Sequence, residues 1–159
     1  MTSPIKVLFV CLGNICRSPT AEAVFTQKVI AAGAQDKILI DSAGTAGYHI
    51  GEAPDDRACE FAARRGYSMD ALRARQVCTE DFDRFDYIIV MDQANLSNLQ
   101  ALKPKYAKAQ LTLMLSYCES AAQEVPDPYY GGDQGFETVL DLLEDASDGL
   151  LNSLQKLLK

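Results

Sequence analysis

Residues 5–19 decide the fold of this 159-residue chain: Ile-Lys-Val-Leu-Phe-Val-Cys-Leu-Gly-Asn-Ile-Cys-Arg-Ser-Pro. The first six of these residues are mostly apolar, which predicts a buried strand over residues 5–10. Ser18 and Pro19 precede apolar residues at helical spacing, and proline is favoured in the first turn of a helix. We therefore predict a strand, a short loop and a helix over residues 20–32 that Ser18 caps.

The loop between the strand and the helix is suited to bind a tetrahedral oxyanion. Such a junction directs backbone N–H groups and the positive end of the helix dipole toward one point. Cys11 opens the loop, and these groups stabilise a thiolate there as a nucleophile. Arg17 closes the loop with a planar guanidinium that can bind two phosphate oxygens. The spacing Cys-x5-Arg thus predicts phosphoryl transfer, whereas the loop lacks the Gly-Lys-Ser/Thr sequence that ATP binding needs.

The other residues of the loop have distinct predicted roles. Gly13 lets the backbone turn inward, and Asn14 tolerates a left-handed conformation while it hydrogen-bonds to the loop. Ser18 can donate its hydroxyl to the thiolate and so assist its departure. Cys16 lies five residues from Cys11, so a reversible disulfide could protect the nucleophile from oxidation, although Cys16 could also be a small packing residue. The predicted phosphate-binding loop comprises Leu12, Gly13, Asn14, Ile15, Cys16 and Ser18.

A second segment with residues suited to catalysis spans residues 124–132, with the sequence Glu-Val-Pro-Asp-Pro-Tyr-Tyr-Gly-Gly. Pro126 and Pro128 fix the backbone on either side of Asp127. General acid catalysis requires a rigidly held carboxyl, because its proton must lie within hydrogen-bond distance of the leaving oxygen. A turn-forming role would explain Asp127 equally well in isolation. Together with the loop at Cys11, the segment predicts Asp127 as a general acid.

These residues resemble those of the low molecular weight protein tyrosine phosphatases. The family's loop V-C-x-G-N-I-C-R-S-P-x-A-E matches residues 10–22 at every fixed position, and its D-P-Y motif matches residues 127–129. The resemblance implies a single domain over residues 1–159 with a three-layer αβα fold. It implies a four-stranded parallel sheet of order 2-1-3-4, with helices on both faces and the phosphate-binding loop after the first strand.

The resemblance also implies hydrolysis of phosphotyrosine in proteins, and of small aryl phosphates, through a cysteinyl-phosphate. Cys11, Arg17 and Asp127 are then the catalytic residues, and no cofactor or metal takes part. Tyrosine-phosphorylated proteins are the expected partners, and a monomer or weak self-association is the expected state.

The resemblance also implies residues that support the loop and residues that form the substrate pocket. Ser42, at the end of a predicted strand, is implied to bond to Asn14. Tyr48 and Tyr129 are implied as walls for an aromatic ring, although Tyr48 could instead hold its own loop. Many family members carry a histidine near position 72 that supports the equivalent of Ser18, and Leu72 puts that support in doubt here.

Alternative functions remain open on the sequence. Arginine phosphatases of the same family carry threonine at the position of Ile15, so Ile15 favours phosphotyrosine. A thiol-dependent arsenate reductase uses the same loop but needs further cysteines for a disulfide relay. A non-catalytic phosphotyrosine-binding module is the third alternative, and the presence of Cys11, Arg17 and Asp127 argues against it.

Composition limits the class of protein. Five cysteines, an odd number without Cys-x2-Cys pairs, and a single histidine argue against a disulfide framework and a metal site. The net charge of −7 disfavours nucleic acid as a partner. No apolar run approaches the length of a membrane span or of a signal-peptide core, so we expect a cytoplasmic protein without a membrane partner.

Hydrophobic spacing predicts the rest of the chain. A strand over residues 38–42 completes a right-handed strand–helix–strand unit, so the sheet is parallel. The other predicted elements are helices over 54–65, 80–85 and 93–102 and strands over 86–91 and 111–115, with Asp92 as a helix cap rather than a catalytic group. We predict a last helix over 136–158, with Gly149 as a weak spot and a core of Leu140, Leu143, Leu150, Leu154 and Leu157.

Overall fold

The first strand, β1 (Ile5–Cys11), lies in the middle of a parallel sheet. The computed structural model describes residues 3–158. The other strands are β2 (Ile38–Gly44), β3 (Tyr87–Val90) and β4 (Gln110–Leu113). All three pairings are parallel, and the strands lie in the order β2-β1-β3-β4, which confirms the predicted order 2-1-3-4.

Helices cover both faces of this sheet, as predicted. They are α1 (Arg17–Ala31), α2 (Asp56–Arg64), α3 (Asp81–Arg84), α4 (Gln93–Leu102) and α5 (Gly132–Leu157), with 3-10 turns at Met114–Tyr117 and Pro128–Tyr130. Successive side chains of a strand point to opposite faces. Phe9 of β1 therefore packs with α1 and α5 on one side, and Val10 packs with α3 and α4 on the other. Alternation along β1 thus produces the three layers.

The predicted inner face of α2 is confirmed, because Ala58, Phe61 and Ala62 are buried. They pack against Val24 of α1 and Phe136 of α5, in an apolar cluster that contains no residue of the strands. The α2 helix is thus attached to two helices rather than to the sheet, and it begins beside the loop that follows β1.

Two helix starts differ from the sequence prediction. The α1 helix begins at Arg17, and its cap residue is Cys16, which makes no side-chain capping bond, so Ser18 is not the cap. The α5 helix begins at Gly132, four residues before the predicted start. Because Gly132 and Gly135 have low intrinsic helix propensity, the sequence pattern did not predict the first turn of α5.

Two predictions for α5 are wrong. Leu157 is 62% exposed at the end of the helix, whereas Leu140, Leu143, Leu150 and Leu154 are buried as predicted. Gly149 is not a weak spot but a point of close approach. A Cβ atom at Gly149 would lie 1.7 Å from the carbonyl oxygen of Tyr117, so the absence of a side chain lets the 3-10 turn at residues 114–117 pack against α5.

The carboxyl ends of β1, β2 and β3 meet at one edge of the sheet. Cys11 is paired with Gly44 in the register, and Val90 at the end of β3 is paired with Val10. Open α/β sheets bind ligands at this edge. No helix within residues 3–158 is both long enough and apolar enough to cross a membrane.

Gly149→Ala tests the close contact in α5. In an exposed helix interior, alanine stabilises by about 1 kcal/mol relative to glycine. We expect the opposite sign here, a loss of about 1–3 kcal/mol in the free energy of unfolding, because overpacking forces the backbone apart. Urea denaturation measures the loss, with Asn152→Ala on the exposed side of α5 as the control. A more stable Gly149→Ala protein would contradict this packing.

Candidate active site

The loop after β1 is closed around a ring of backbone amides. The carbonyl groups of residues 11, 12 and 15 accept hydrogen bonds of 2.8–2.9 Å from amides of residues 45–55, outside the loop. A trans peptide points its N–H away from its C=O, so the amides of residues 12, 13 and 16 face the interior of the loop. The N-terminus of α1 adds its own amides at the same point. The loop therefore has the geometry of an anion site.

Gly44 at the end of β2 lets this loop lie directly on the sheet. A Cβ atom there would lie 2.7 Å from the carbonyl oxygen of Leu12 and 3.1 Å from the amide nitrogen of Asn14. Real Cβ atoms essentially never come within 3.0 Å of such a backbone atom, so a larger residue at position 44 would displace the loop.

Asn14 fixes the shape of the loop. It has the left-handed backbone predicted for it, with φ 58°, and it is the one non-glycine residue with positive φ among residues 3–158. Its side-chain nitrogen donates to Ser18 at 2.8 Å and to Ser42 at 3.0 Å, and its side-chain oxygen accepts the amide of Arg75 at 3.0 Å. Asn14 is 2% exposed, so these bonds satisfy a buried amide group.

The Cys11 sulfur lies at the bottom of the loop, 3.0 Å from the hydroxyl oxygen of Ser18. The Ser18 oxygen accepts from Asn14, so its own proton is free to point to the sulfur or to the carbonyl of Ala43, which is 3.3 Å away. Leu72, which stands where many family members have histidine, packs in an apolar cluster instead. Asn14 and Ala43 therefore hold Ser18 in this chain.

Arg17 is held in place by residues far from it in sequence. Its side chain is 8% exposed, and its Nη1 atom donates to Asp92 Oδ2 at 2.7 Å and to the carbonyl of Val125 at 3.0 Å. The other carboxylate oxygen of Asp92 accepts the amide of Asn95 at 2.8 Å, so the predicted cap of α4 is confirmed. Sequence reasoning missed that Asp92 also orients the arginine. Its position at the carboxyl end of β3 was the available signal.

Asp127 and Cys11 line the same cavity, which has a volume of about 100 Å³. The amide of Val125 donates to the carbonyl of Met91 at 2.8 Å, which attaches the acid segment to the end of β3. Asp127 Oδ1 accepts the amide of Tyr129 at 3.0 Å, so the turn predicted as the alternative role of Asp127 is present as well. The cavity is lined by Cys11, Leu12, Gly13, Ile15, Cys16, Arg17, Tyr48, His49, Asp127 and Tyr129.

The two predicted wall residues stand at the mouth of this cavity. Tyr48 is 75% exposed and Tyr129 is 48% exposed. His49 also lines the cavity, and its Nδ1 atom lies 2.5 Å from a carboxylate oxygen of Glu52. A larger cavity of about 750 Å³ lies at the opposite end of the strands, near Lys6 and Tyr87, and it contains none of the predicted site residues.

Cys16 lines the cavity beside Cys11, and both are free thiols. Burial raises the pKa of the Cys16 thiol to about 12, so this group is protonated at neutral pH. A disulfide between Cys11 and Cys16 stays a prediction.

Glu22 is a partly buried carboxyl that sequence reasoning did not single out, although it lies within the matched motif. It accepts the Ser42 hydroxyl at 2.7 Å, so it ends a chain of hydrogen bonds that runs through Ser42 and Asn14 to Ser18. Burial raises the pKa of Glu22 to about 7, and the nearby Asp41 adds to this shift, while Ser42 and Arg75 oppose it.

Comparison with known proteins points to one family. The sequence model of the family "Low molecular weight phosphotyrosine protein phosphatase" matches residues 6–159. A low molecular weight protein-tyrosine-phosphatase of Bacillus subtilis is 46% identical over 153 residues, which cover 96% of this chain and 97% of that protein. The human low molecular weight phosphotyrosine protein phosphatase is 47% identical over 136 residues, or 84% of this chain and 85% of that protein. A crystal structure of a protein tyrosine phosphatase from Entamoeba histolytica superposes with a TM-score of 0.92 at 44% identity and covers 96% of this chain and 97% of that one.

Glu22→Gln tests this partly buried carboxyl through its effect on stability. The pKa of Glu22 is raised on folding from 4.5 to about 7, so the stability linked to its proton is present below about pH 4.5 and is lost as the pH rises through about 7. Glutamine cannot ionise, so we expect the variant to gain stability relative to the parent chain between about pH 5 and about pH 8.

Urea denaturation at the two pH values measures this difference. Glu60→Gln, at an exposed carboxylate, controls for the loss of one negative charge. An equal difference between Glu22→Gln and the parent chain at both pH values would contradict the assignment.

Proposed function

The chain belongs to the low molecular weight phosphotyrosine protein phosphatase family, and we propose that it hydrolyses phosphotyrosine in proteins through a cysteinyl-phosphate on Cys11. It is thus a protein-tyrosine-phosphatase, a phosphoric monoester hydrolase, and small aryl phosphates are substrates as well. The observation that carries this proposal is the shared cavity, which Cys11, Arg17 and Asp127 line together at the loop whose amides point inward.

In the first step, the Cys11 thiolate attacks phosphorus in line with the leaving phenol oxygen. The S–P bond forms as the P–O bond breaks, and Asp127 gives its proton to the departing phenolate. The loop amides and Arg17 hold the three equatorial oxygens and stabilise the charge that they carry in the transition state. Because Asp92 and the Val125 carbonyl fix the guanidinium beforehand, little reorganisation is needed.

In the second step, Asp127 is ionised and acts as a base. It takes a proton from water, the water oxygen attacks phosphorus, and the S–P bond breaks to release phosphate and regenerate the Cys11 thiolate. The Ser18 hydroxyl, 3.0 Å from the sulfur, donates to the leaving thiolate and lowers the cost of its departure. One carboxyl group therefore serves both half-reactions.

The shape of the cavity favours an aromatic phosphate ester. We assign Tyr48 and Tyr129 as the walls that flank the phenyl ring, since both stand at the mouth. A phosphoserine side chain is too short to carry its phosphate past them to Cys11. Ile15 contributes an apolar side chain to the lining, which suits a phenyl ring better than a guanidinium.

The alternatives to phosphatase activity find less support. Cys11 and Cys16 are the cysteines that line the cavity, and a disulfide relay for arsenate reduction needs a third one nearby. A module that merely binds phosphotyrosine has no use for a carboxyl group aimed at the leaving oxygen. Hydrolysis of p-nitrophenyl phosphate, assayed beside arsenate reduction with a thiol donor, separates all three functions.

We further propose that residues 1–159 form one catalytic domain that acts in the cytoplasm. The family match over residues 6–159 supports the single domain. A thiolate nucleophile must stay reduced, and the cytosol keeps thiols reduced. Tyrosine-phosphorylated proteins are its partners, nucleic acid is disfavoured by the net charge of −7, and a monomeric or weakly self-associating state stays a prediction.

Cys11→Ser removes the nucleophile and leaves the anion site. We expect turnover of p-nitrophenyl phosphate to fall by at least about 10⁴-fold, as for loss of other nucleophiles, because the serine hydroxyl is not ionised. Binding of inorganic phosphate, measured by isothermal titration calorimetry, should survive. Turnover that persists in the variant would contradict Cys11 as the nucleophile.

Asp127→Ala removes the general acid. We expect kcat/KM to fall by about 10²-fold for tyrosine phosphate, within the usual range for this kind of catalysis, and by a smaller factor for p-nitrophenyl phosphate, whose phenolate leaves without a proton. Steady-state kinetics with both substrates measures the two factors. Equal losses for both leaving groups would contradict the acid role.

A further inference from the structure

Tyr129 is held by two hydrogen bonds, one from its backbone amide and one from its side-chain hydroxyl, and the amide bonds to the proposed acid, Asp127. Its amide donates to Asp127 Oδ1 at 3.0 Å, and its hydroxyl donates to Asp55 Oδ1 at 2.6 Å. Burial, then the hydrogen bond to Asp55 and the neighbouring Cys16 thiol, raise the pKa of the Tyr129 hydroxyl, which therefore remains a proton donor. The bond to Asp55 is short, as expected for a hydroxyl that donates to a carboxylate.

Asp55 in turn is fixed to two other parts of the structure. Its backbone amide donates to the carbonyl of Ile15, in the loop of Cys11, at 2.8 Å. Its Oδ2 atom accepts the amides of Arg57 and Ala58, each at 3.0 Å, and so caps α2. The two carboxylate oxygens have separate tasks, since Oδ1 holds Tyr129 while Oδ2 caps the helix.

Through Asp55, these contacts join the segment that carries Asp127 to the phosphate-binding loop. Asp127 is connected to Tyr129, Tyr129 to Asp55, and Asp55 to Ile15, which lies four residues from Cys11. The connection fixes the distance between the proton donor and the nucleophile. It also leaves Asp127 Oδ2 as the oxygen that carries the proton, because Oδ1 is occupied by the Tyr129 amide.

We propose that the hydrogen bond from the Tyr129 hydroxyl to Asp55 positions Asp127 for proton transfer, so that Asp55 and the Tyr129 hydroxyl are positioning groups for the general acid. The proposal rests on the proposed function, in which Asp127 is that acid. General acid catalysis depends steeply on geometry, and a misplacement of about 1 Å can cost about 10²-fold in rate. A hydroxyl that anchors the acid segment therefore affects the reaction without touching the substrate.

The role of Tyr129 as a wall can be separated from this one. The ring packs edge-on against Phe136, with centroids 6.4 Å apart and planes at 80°, and this contact does not involve the hydroxyl. Tyr129→Phe therefore keeps the aromatic wall and removes the anchor. Asp55→Ser removes the anchor from the other side and keeps a strong helix cap, because one serine oxygen can accept the α2 amides but cannot also reach the tyrosine.

The experiment compares kcat/KM for tyrosine phosphate and p-nitrophenyl phosphate in these variants. We expect Tyr129→Phe and Asp55→Ser each to lose about tenfold with tyrosine phosphate, and distinctly less with p-nitrophenyl phosphate, because general acid catalysis matters more for the poorer leaving group. The double variant should lose no more than either single one, since both changes break the same interaction. Inorganic phosphate should bind to the variants as it does to the parent chain.

Tyr67→Phe is the matched control. The Tyr67 hydroxyl donates to Glu144 at 2.6 Å, the same chemistry and length, but Tyr67 does not line the cavity, so kcat/KM should stay within about twofold for both substrates.

Three results would overturn the proposal. The first is unchanged kcat/KM in Tyr129→Phe and Asp55→Ser, and the second is an equal loss for both substrates, which indicates a role in structure or binding alone. In either case a larger loss for tyrosine phosphate in Asp127→Ala would leave the proposed function intact. The third is equal losses for the two substrates in Asp127→Ala, which would remove the acid assignment itself.

Discussion

The shape of the phosphate-binding loop depends on the three hydrogen bonds made by the side chain of Asn14. They connect the phosphate-binding loop to α1 through Ser18, to β2 through Ser42 and to the segment before α3 through Arg75. With its left-handed backbone, Asn14 turns the loop so that carbonyl groups point outward and amides point inward. An amide ring of this kind binds an oxyanion without any cation, and the guanidinium of Arg17 then adds the charge.

The catalytic groups are positioned by contacts between distant parts of the chain. Asp92 at the end of β3 and the carbonyl of Val125 fix the Arg17 guanidinium, and the chain then continues two residues to Asp127. The arginine and the acid are therefore set by one segment. Because each group is held before substrate arrives, the site has the preorganisation that electrostatic catalysis requires.

The sequence was most informative where neighbouring residues determine both the fold and the function. The order of the sheet, the burial of β1 and the sequence from Cys11 to Pro19 could all be predicted from local patterns and from the family resemblance. Sequence reasoning failed where the cause was a neighbour distant along the chain. The contacts of Arg17 with Asp92 and Val125 span 75 and 108 residues, and the contact of Tyr129 with Asp55 spans 74, so no local pattern reveals them. Gly149 was misjudged for the same reason, because its contact is with the carbonyl of Tyr117 in another element.

The central claim is that phosphate is transferred to the sulfur of Cys11. Its most direct test is to denature the enzyme rapidly during turnover of an aryl phosphate and to locate the bound phosphate by ³¹P NMR and by mass spectrometry of proteolytic fragments. We expect a phosphorus resonance of an S–P bond and a phosphorylated fragment in which Cys11 carries the group. Phosphate on any other residue, or turnover with no covalent phosphoenzyme under conditions that trap one in a related phosphatase, would contradict it.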